Sequence, residues 1–220
     1  MELSYRLIDM TSHRSEEEVH LVNTCFQHWY GIFSQDVEAR GATLNKDEFH
    51  RAKILAVLQS GDAVAGFHLY SMFDLREQPS LAHSYLKALP DVAKSLMLDR
   101  GVHSVMAMEY LTVTPEFRSK EYAGVKIAEL VIRLGLHVLS DLGLDSALGV
   151  ARADRKVNTL GDSIGFEEIA LMEKYNNKCN LMLFDRKRCK LLGNPFTLKA
   201  VENLWNQRHQ SGRVRKPAAA

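Results

Sequence analysis

The feature that most constrains the fold of this chain is a strand followed closely by an amphipathic helix in the middle of the sequence. The segment HSVMAMEYLTV, residues 103–113, is the strongest strand signal in the chain. The strongest helix signal runs from Ala123 to Leu139, and its apolar face consists of Ile127, Val131, Leu134 and Val138. Such a strand and helix bury their apolar sides against other elements, so the chain is predicted to fold as an α/β protein.

The flanking sequence continues this mixture of strands and helices. Residues 3–10 predict a first strand, and Ser15 with Glu18 forms a capping box that begins a helix. KILAVLQ, the turn SGDA and AVAGFHLYSMF predict a two-stranded hairpin, and residues 74–101 are interpreted as an inserted helical segment. Further on, the sequence predicts a strand in SALGVAR, a polar helix from about Asp154 to Ser163, strands in GFEEIALMEKY and NLMLFDR, and a last helix near Leu198 to Gln207.

The composition is that of one folded unit. The chain has 220 residues, of which 46% are hydrophobic and 25% charged, close to the averages for globular proteins. No internal linker is visible, so residues 1–210 are predicted to form a single domain, and residues 211–220, SGRVRKPAAA, a flexible tail. The formal net charge is +1 and the basic residues are scattered, which argues against a nucleic-acid partner.

Cysteine and histidine usage argues against a disulfide framework and a metal site. The three cysteines stand at unrelated spacings, and the nine histidines lack a paired metal-ligand spacing, so no metal is predicted. The amino terminus lacks the basic stretch and apolar run of a signal peptide, and no apolar stretch reaches membrane-spanning length. We therefore expect a cytoplasmic protein without a membrane span.

Two segments carry a resemblance to a known family. EYLTVTPEFRSKEYAGVKIAEL contains a strand end, a proline-x-x-arginine and a long helix, and GVARADRKVNTLGDSIGFEEI follows with a strand, a helix and a glycine-phenylalanine pair. This order resembles the GNAT superfamily of acyltransferases. The resemblance implies a mixed central sheet flanked by helices, with splayed fourth and fifth strands. The first of these ends near residue 113, the second starts near residue 147, and a pantetheine thioester would lie between them.

The resemblance also assigns residues that bind the acyl donor. The backbone of Leu111, Thr112 and Val113 would pair with the extended pantetheine arm as an added strand does. The turn that follows would direct backbone N–H groups and the helix dipole at the phosphate. The residues assigned to this phosphate are Arg118, Ser119, Lys120, Ala123 and Gly124.

The phosphate turn departs from the family pattern. Counting from Arg118, Glu121 takes the place of the first glycine, whereas a shift of one residue would bring Gly124 into the turn. A carboxylate beside the pyrophosphate of coenzyme A is unfavourable because like charges repel. Phosphopantetheine on acyl carrier protein has one phosphate, so the sequence predicts a carrier-protein donor, with coenzyme A as the alternative.

Acyl transfer needs a base for the amine and a hydrogen-bond donor for the oxyanion. Glu109 is predicted to be the general base, on the same strand face as Ala107, Leu111 and Val113. The backbone N–H of Leu111, or of Tyr110, would stabilise the oxyanion. Gly161 stands where many family members carry a tyrosine that protonates the leaving thiolate. Because a thiol with a pKa near about 8.5 leaves readily, acyl transfer is still expected.

In layout, the chain resembles the long-chain N-acyl amino acid synthases, whose product type is N-acyl tyrosine. This resemblance implies a long-chain acyl group, an amino-acid acceptor and no permanently bound cofactor, with the phosphopantetheine thioester of acyl carrier protein as co-substrate. The predicted acyl-chain pocket consists of Trp29, Tyr30, Phe33, Phe67 and Tyr70. The predicted carrier-protein surface consists of Arg152, Arg155 and Lys156.

Three alternatives stay open on the sequence. Acyl-homoserine lactone synthases share the layout and would need S-adenosylmethionine as well. A coenzyme A-dependent N-acetyltransferase would carry a shorter acyl group. A GNAT-shaped module could also bind acyl carrier protein without catalysing a reaction.

Overall fold

The computed structural model describes residues 1–211, in which helices cover both faces of one large sheet. The predicted α/β class is confirmed. Residues 212–220, the greater part of the predicted flexible tail, lie outside the described residues. Ser211, the first residue of that predicted tail, is tied to the sheet because its backbone N–H donates a hydrogen bond of 3.0 Å to the carbonyl of Leu7.

The large sheet is mixed. Its strands are β1 (Ser4–Asp9), β2 (Ile54–Ser60), β3 (Ala63–Asp74), β4 (Ser104–Val113), β7 (Ser146–Arg152), β8 (Glu167–Lys174), β9 (Asn177–Asp185) and β10 (His209–Gln210), and the short strands β5 (Glu121–Tyr122) and β6 (Val125–Lys126) form a separate hairpin. The order across the large sheet is β10-β1-β2-β3-β4-β7-β9-β8. β4 is parallel to β7 and β1 to β10, while the other neighbours are antiparallel.

The helices form a layer on each side of this sheet. They are α1 (Glu16–Glu38), α2 (Asp47–His50), α3 (Gln78–Ala82), α4 (Ser84–Lys87), α5 (Asp91–Asp99), α6 (Ile127–Leu142), α7 (Val157–Ile164) and α8 (Pro195–Asn206). Apolar side chains of α6, α7 and α8 share one core with Tyr5 and Met106 of the sheet. Apolar side chains of α1, α2, α4 and α5 pack on the other face, over Leu69 and Ala107.

Local sequence signals account for most of these elements. The predicted capping box is confirmed, because Ser15 and Glu18 exchange backbone and side-chain hydrogen bonds of 3.0 and 3.3 Å at the start of α1. The predicted helix from Ala123 to Leu139 begins too early, since α6 starts at Ile127. Ala123 and Gly124 instead have φ values of 51° and 76°, as a two-residue hairpin turn between β5 and β6 requires.

Candidate active site

The central feature of the site is a wedge between β4 and β7. The two strands pair from Val105 with Ser146 as far as Met108 with Gly149. Beyond that point β4 stays paired with β3, and β7 stays paired with β9 up to Arg152. The predicted splay of these two strands is therefore confirmed, and a gap opens where β4 and β7 no longer share hydrogen bonds.

A bulge in β4 lies at the apex of this wedge. Tyr110 and Leu111 together oppose the single residue His68 of β3, and Tyr110 has a φ of 57°, rare for a residue with a side chain. The hydroxyl of Thr112 donates a hydrogen bond of 2.8 Å to the carbonyl of Tyr110. An inserted residue reverses the alternation of side chains, and such bulges are common beside active sites.

The bulge corrects one prediction about Glu109. Leu111 and Val113 pack against the core under α6, whereas Glu109 continues the face of Ala107, on the side of α1 and α5. The expectation that Glu109 shares a strand face with Leu111 and Val113 was wrong, because strict alternation fails across a bulge. Glu109 consequently points to one side of the wedge and Leu111 to the other.

Two cavities meet at the wedge and share Met108, Tyr110, Leu111, Val150 and Val157 as lining residues. The larger cavity, about 390 Å³, lies on the α1 side. The smaller one, about 70 Å³, lies on the side of α6 and α7. A volume of several hundred Å³ is typical of small-molecule sites. An extended ligand could therefore reach from one face of the sheet to the other.

Glu109 lines the larger cavity and is 4% exposed. Its carboxylate forms an ion pair with Arg51 and accepts a hydrogen bond of 3.1 Å from the hydroxyl of Ser71. Burial raises the pKa of Glu109 above its usual range, although the positive charge of Arg51 opposes this effect. A buried carboxylate with a raised pKa, next to a cavity, is a candidate for proton transfer.

A second carboxylate, Glu48 of α2, organises the floor of the larger cavity. It accepts hydrogen bonds from the hydroxyls of Tyr110 and Tyr175, the latter at 2.7 Å, and from the Lys174 ammonium at 3.0 Å. Burial acts to raise the pKa of Glu48, but the charge of Lys174 and these hydrogen bonds outweigh it, so the pKa is lowered. Glu48 therefore stays ionised and fixes the ring of the bulge residue Tyr110.

The mouth of the larger cavity is crossed by ion pairs between α1 and the end of β7. Asp36 pairs with Arg152 and, at 3.2 Å, with Arg155, while Arg152 also pairs with Asp154 at 2.6 Å. Burial acts to raise the pKa of Asp36, but hydrogen bonding and the charge of Arg152 lower it overall. Of the three residues predicted to form the carrier-protein surface, Arg152 has a side chain that is 18% exposed and Arg155 one that is 64% exposed, and Lys156 is exposed next to them.

The segment predicted to bind phosphate is not a single loop that leads directly into a helix, because the β5–β6 hairpin lies between Lys120 and α6. Arg118 lines the larger cavity and an open groove of about 640 Å³ outside it, and Ser119 and Lys120 are exposed beside it. Ala123 and Gly124 lie at the tip of the β5–β6 hairpin. Glu121 pairs with Lys126 in that hairpin, so the alignment that put Glu121 in place of a glycine in the phosphate turn is not supported.

Four of the five aromatic residues predicted to line an acyl-chain pocket share the core under α1, but only Phe33 lines the larger cavity. Trp29 and Phe67 are fully buried in the core under α1, with Tyr30 packed at its edge, whereas Tyr70 is buried on the opposite face under α6. The aliphatic wall of the larger cavity comes from Ile32, Val37, Val113, Val150 and Val157 instead.

Several residues at the site carry no signal in the sequence. Glu48 belongs to the short helix α2, which Arg51 follows, and Lys174 ends β8, which Tyr175 follows. More than a hundred residues separate the partners Glu48 and Lys174. His68 lies in the middle of the apolar strand β3. Its side chain is 4% exposed and lines the smaller cavity, and its Nδ1 has no hydrogen-bond partner among the described residues.

Because His68 is buried, we expect the free energy of unfolding to depend on pH. Burial lowers the pKa of His68 from 6.5 to about 3. The unfolded chain therefore binds this proton first, so the stabilisation is complete above pH 6.5 and is lost as the pH falls towards 3. We expect His68 to contribute a loss of about 1.4 kcal/mol of unfolding free energy per pH unit in this window.

Urea unfolding at several pH values between 7 and 4 measures this contribution. In His68→Phe the slope of unfolding free energy against pH should become shallower, while His20→Phe, at an exposed histidine, should keep the slope of the wild type. Equal slopes in all three proteins would contradict a neutral, buried His68.

Within residues 1–211 no helix is both long enough and apolar enough to cross a membrane. Nor do the histidine, cysteine, aspartate and glutamate side chains of this range gather into a group that could hold a metal ion.

The fold has relatives among solved structures. FeeM, an N-acyl amino acid synthase from uncultured soil microbes, superposes with a TM-score of 0.57 at 11% identity, covering 85% of this chain and 92% of its own. BjaI, a coenzyme A-dependent acyl-homoserine lactone synthase, gives 0.60 at 11%, covering 96% and 94%. A mosquito arylalkylamine N-acetyltransferase, like 5b, gives 0.61 at 11%, covering 84% and 100%. No family model and no curated protein matches the sequence.

These likenesses identify the fold. The shared architecture, together with the wedge between β4 and β7, shows that the chain has the GNAT fold, as its sequence resemblance implied. At 11% identity the superpositions extend to the architecture alone. The reaction that the protein catalyses depends on the residues of the site.

Proposed function

We propose that this protein is an N-acyltransferase that moves a long-chain fatty acyl group from acyl carrier protein to the α-amine of an amino acid, with tyrosine as the predicted acceptor. The observation that carries the proposal is the wedge beyond Met108 and Gly149, with a buried carboxylate on one wall. The likeness to FeeM, named as an N-acyl amino acid synthase, supports this choice among GNAT activities.

The donor arm would enter the wedge and add to the free edge of β4. Because β7 turns away after Gly149, the backbone of Leu111, Thr112 and Val113 faces the gap and could pair with the amides of pantetheine. The thioester carbonyl would then lie near the bulge. The Leu111 N–H is the proposed oxyanion donor, and its place in the bulge fixes it before substrate binds.

Glu109 is the proposed general base. Two carboxylates line the larger cavity, and their environments differ: the pKa of Asp36 is lowered and that of Glu109 is raised. A base needs an affinity for protons, so Glu109 is the better candidate. Arg51 and Ser71 hold its two oxygens in place.

The proposed reaction balances without a cofactor. The amine nitrogen attacks the thioester carbon, and Glu109 accepts the proton that the nitrogen loses, directly or through water. The tetrahedral intermediate collapses as the C–S bond breaks, and the electron pair leaves with sulfur. The thiolate then takes a proton from water and Glu109 releases its proton to the solvent, which leaves an amide and the free thiol of phosphopantetheine.

The larger cavity would hold the acceptor and part of the acyl chain. Its apolar wall, with Ile32, Phe33 and Val37 from α1, suits hydrocarbon. Lys174 and Tyr175 at its floor could orient the polar end of an amino acid. This assignment replaces most of the aromatic pocket expected from the sequence.

A carrier-protein donor is supported by the surface at the cavity mouth. The outer groove is lined by Arg118, Arg152 and Arg155, with Asp36 as its acidic residue, which suits an acidic partner. The argument from Glu121 no longer contributes, since that residue belongs to the hairpin. The donor must therefore be decided by comparing carrier-protein and coenzyme A thioesters directly.

One alternative has a specific observation in its favour. The likeness to BjaI covers more of this chain, 96%, than the likeness to FeeM, 85%. An acyl-homoserine lactone synthase would acylate the amine of S-adenosylmethionine and then close a lactone ring. The two functions differ in their products, an open amide or a lactone.

Mass spectrometry of reactions with the purified protein tests the proposal. Long-chain acyl carrier protein and a mixture of amino acids should give N-acyl amino acids, with N-acyl tyrosine the main product. Equal turnover with long-chain acyl coenzyme A would contradict the carrier-protein donor. A lactone formed with S-adenosylmethionine would favour the alternative, and no acyl transfer with any of these donors would contradict the proposed activity.

A further inference from the structure

The smaller cavity contains a buried imidazole that the proposed reaction has not used. His68 lies opposite the bulge at Tyr110 and Leu111, and its ring lines the same cavity as Gly149 and Val150 of β7. The cavity therefore extends from β3 across the apex of the wedge to β7. A ligand that crosses the wedge at the bulge would pass close to the His68 ring.

One ring nitrogen of His68 has no partner among the described residues. Its Nδ1 is buried and forms no hydrogen bond with any of them. Leaving a buried polar group unpaired costs about 1–3 kcal/mol. Apart from Tyr110, whose hydroxyl bonds to Glu48, the other residues around the cavity are apolar or glycine, so a ligand or water in the cavity is the partner available to this nitrogen.

Gly161 lines the same cavity as this ring. A Cβ atom at position 161 would lie 3.4 Å from the Met182 methyl and 3.6 Å from the Cβ of Phe166, which is ordinary van der Waals contact. His68 and Gly161 therefore line one cavity, the first from β3 and the second from α7.

We propose that His68 and Gly161 form the subsite for the departing sulfur, in which the imidazole N–H of His68 donates a hydrogen bond to the thiolate as the C–S bond breaks. This inference rests on the proposed acyl transfer. His68 remains a neutral ring throughout, since no carboxylate lines the smaller cavity to stabilise its charged form. The proton that finally converts thiolate to thiol comes from water, because a neutral imidazole is too weak an acid to give up its N–H.

Variants at His68 measure this role. A hydrogen bond to a charged group is worth about 1.5–3 kcal/mol, so His68→Phe should lower kcat by about 10- to 100-fold with the pantetheine thioester. His68→Gln, which keeps an N–H donor, should recover part of that loss. His137→Phe is the matched control, because His137 stacks on Trp205 away from the wedge and its replacement should leave kcat unchanged.

The dependence on the leaving group separates a role at sulfur from a structural role. An aryl thioester with the same acyl chain releases a more acidic thiol, whose anion needs less stabilisation. The defect of His68→Phe in kcat/KM should therefore shrink with the aryl thioester. The same defect with both donors would overturn the proposal, whereas an inactive wild-type protein would contradict acyl transfer itself.

A binding measurement on the wild type completes the test without any substitution. The imidazole nitrogens of His68 are followed by ¹⁵N NMR while an unreactive thioether analogue of acyl-phosphopantetheine is added. We expect the His68 signals to shift on binding and those of His137 to stay in place. Saturation with the analogue and no change at His68 would overturn the proposed subsite.

Discussion

Replacing Glu109 with glutamine is expected to lower kcat for acyl transfer by about 10²- to 10⁴-fold, the usual effect of losing a general base. Glutamine has the same shape and can still bond to Ser71, but it cannot accept the proton of the amine. In the wild type, kcat should rise with pH through the raised pKa of Glu109, because the base works in its ionised form. Initial rates against pH should lose this rise in the variant.

Glu48→Gln is the matched control for this experiment. Glu48 is a partly buried carboxylate beside Arg51, but it binds Tyr110, Tyr175 and Lys174 rather than lining the cavity. We expect a smaller loss of kcat and an unchanged pH profile. Circular dichroism and the melting temperature of both variants verify that they fold. A Glu109→Gln enzyme with nearly normal kcat would show that another group takes the proton.

The substitution Gly165→Ala is expected to destabilise the fold by about 3–5 kcal/mol, the combined effect of backbone strain and steric overlap. Gly165 ends α7 with a φ of 115°, where residues with side chains are strained. A Cβ atom there would lie 2.1 Å from the backbone carbonyl oxygen of Lys190, so the chain after β9 would have to move. For a domain of this size the melting temperature should fall by roughly 10 °C.

The control for Gly165→Ala is the same substitution at Gly31. That residue lies inside α1, and a Cβ atom there would meet no other atom within 4 Å. Alanine favours a helix over glycine by about 1 kcal/mol, so Gly31→Ala should stabilise the protein. Urea unfolding of both variants gives the comparison. Equal stability of Gly165→Ala and the wild type would mean that α7 does not pack against the segment near Lys190.

Periodicity and composition were sufficient to predict the elements that bury a regular apolar face. The pattern around Val131 predicted the core of α6, and Ser15 with Glu18 predicted the start of α1, because each depends on residues close in the chain. The hairpin at Ala123 and Gly124 was missed, since alanine seldom adopts a positive φ and gives little sign of such a turn. The resemblance to a family then predicted the splay of two strands.

The site itself depended on contacts that no local pattern contains. The bulge at Tyr110 requires a positive φ in a residue with a bulky side chain, and one of the groups that hold it, Glu48, binds the Tyr110 hydroxyl from another element. Arg51 meets Glu109 across 58 residues of sequence. In the sequence His68 is one residue of an apolar strand, and only the cavity beside it in the structure makes it a candidate site residue.

The most direct measurement is amide hydrogen exchange, resolved residue by residue, with and without the unreactive thioether analogue of acyl-phosphopantetheine. If the arm completes the sheet in the wedge, backbone N–H groups in 111–113 and 150–152 should exchange more slowly when the analogue is bound. Strands β1 and β2, far from the wedge, should not change. Tight binding of the analogue with no protection on either side of the wedge would contradict a thioester site between β4 and β7.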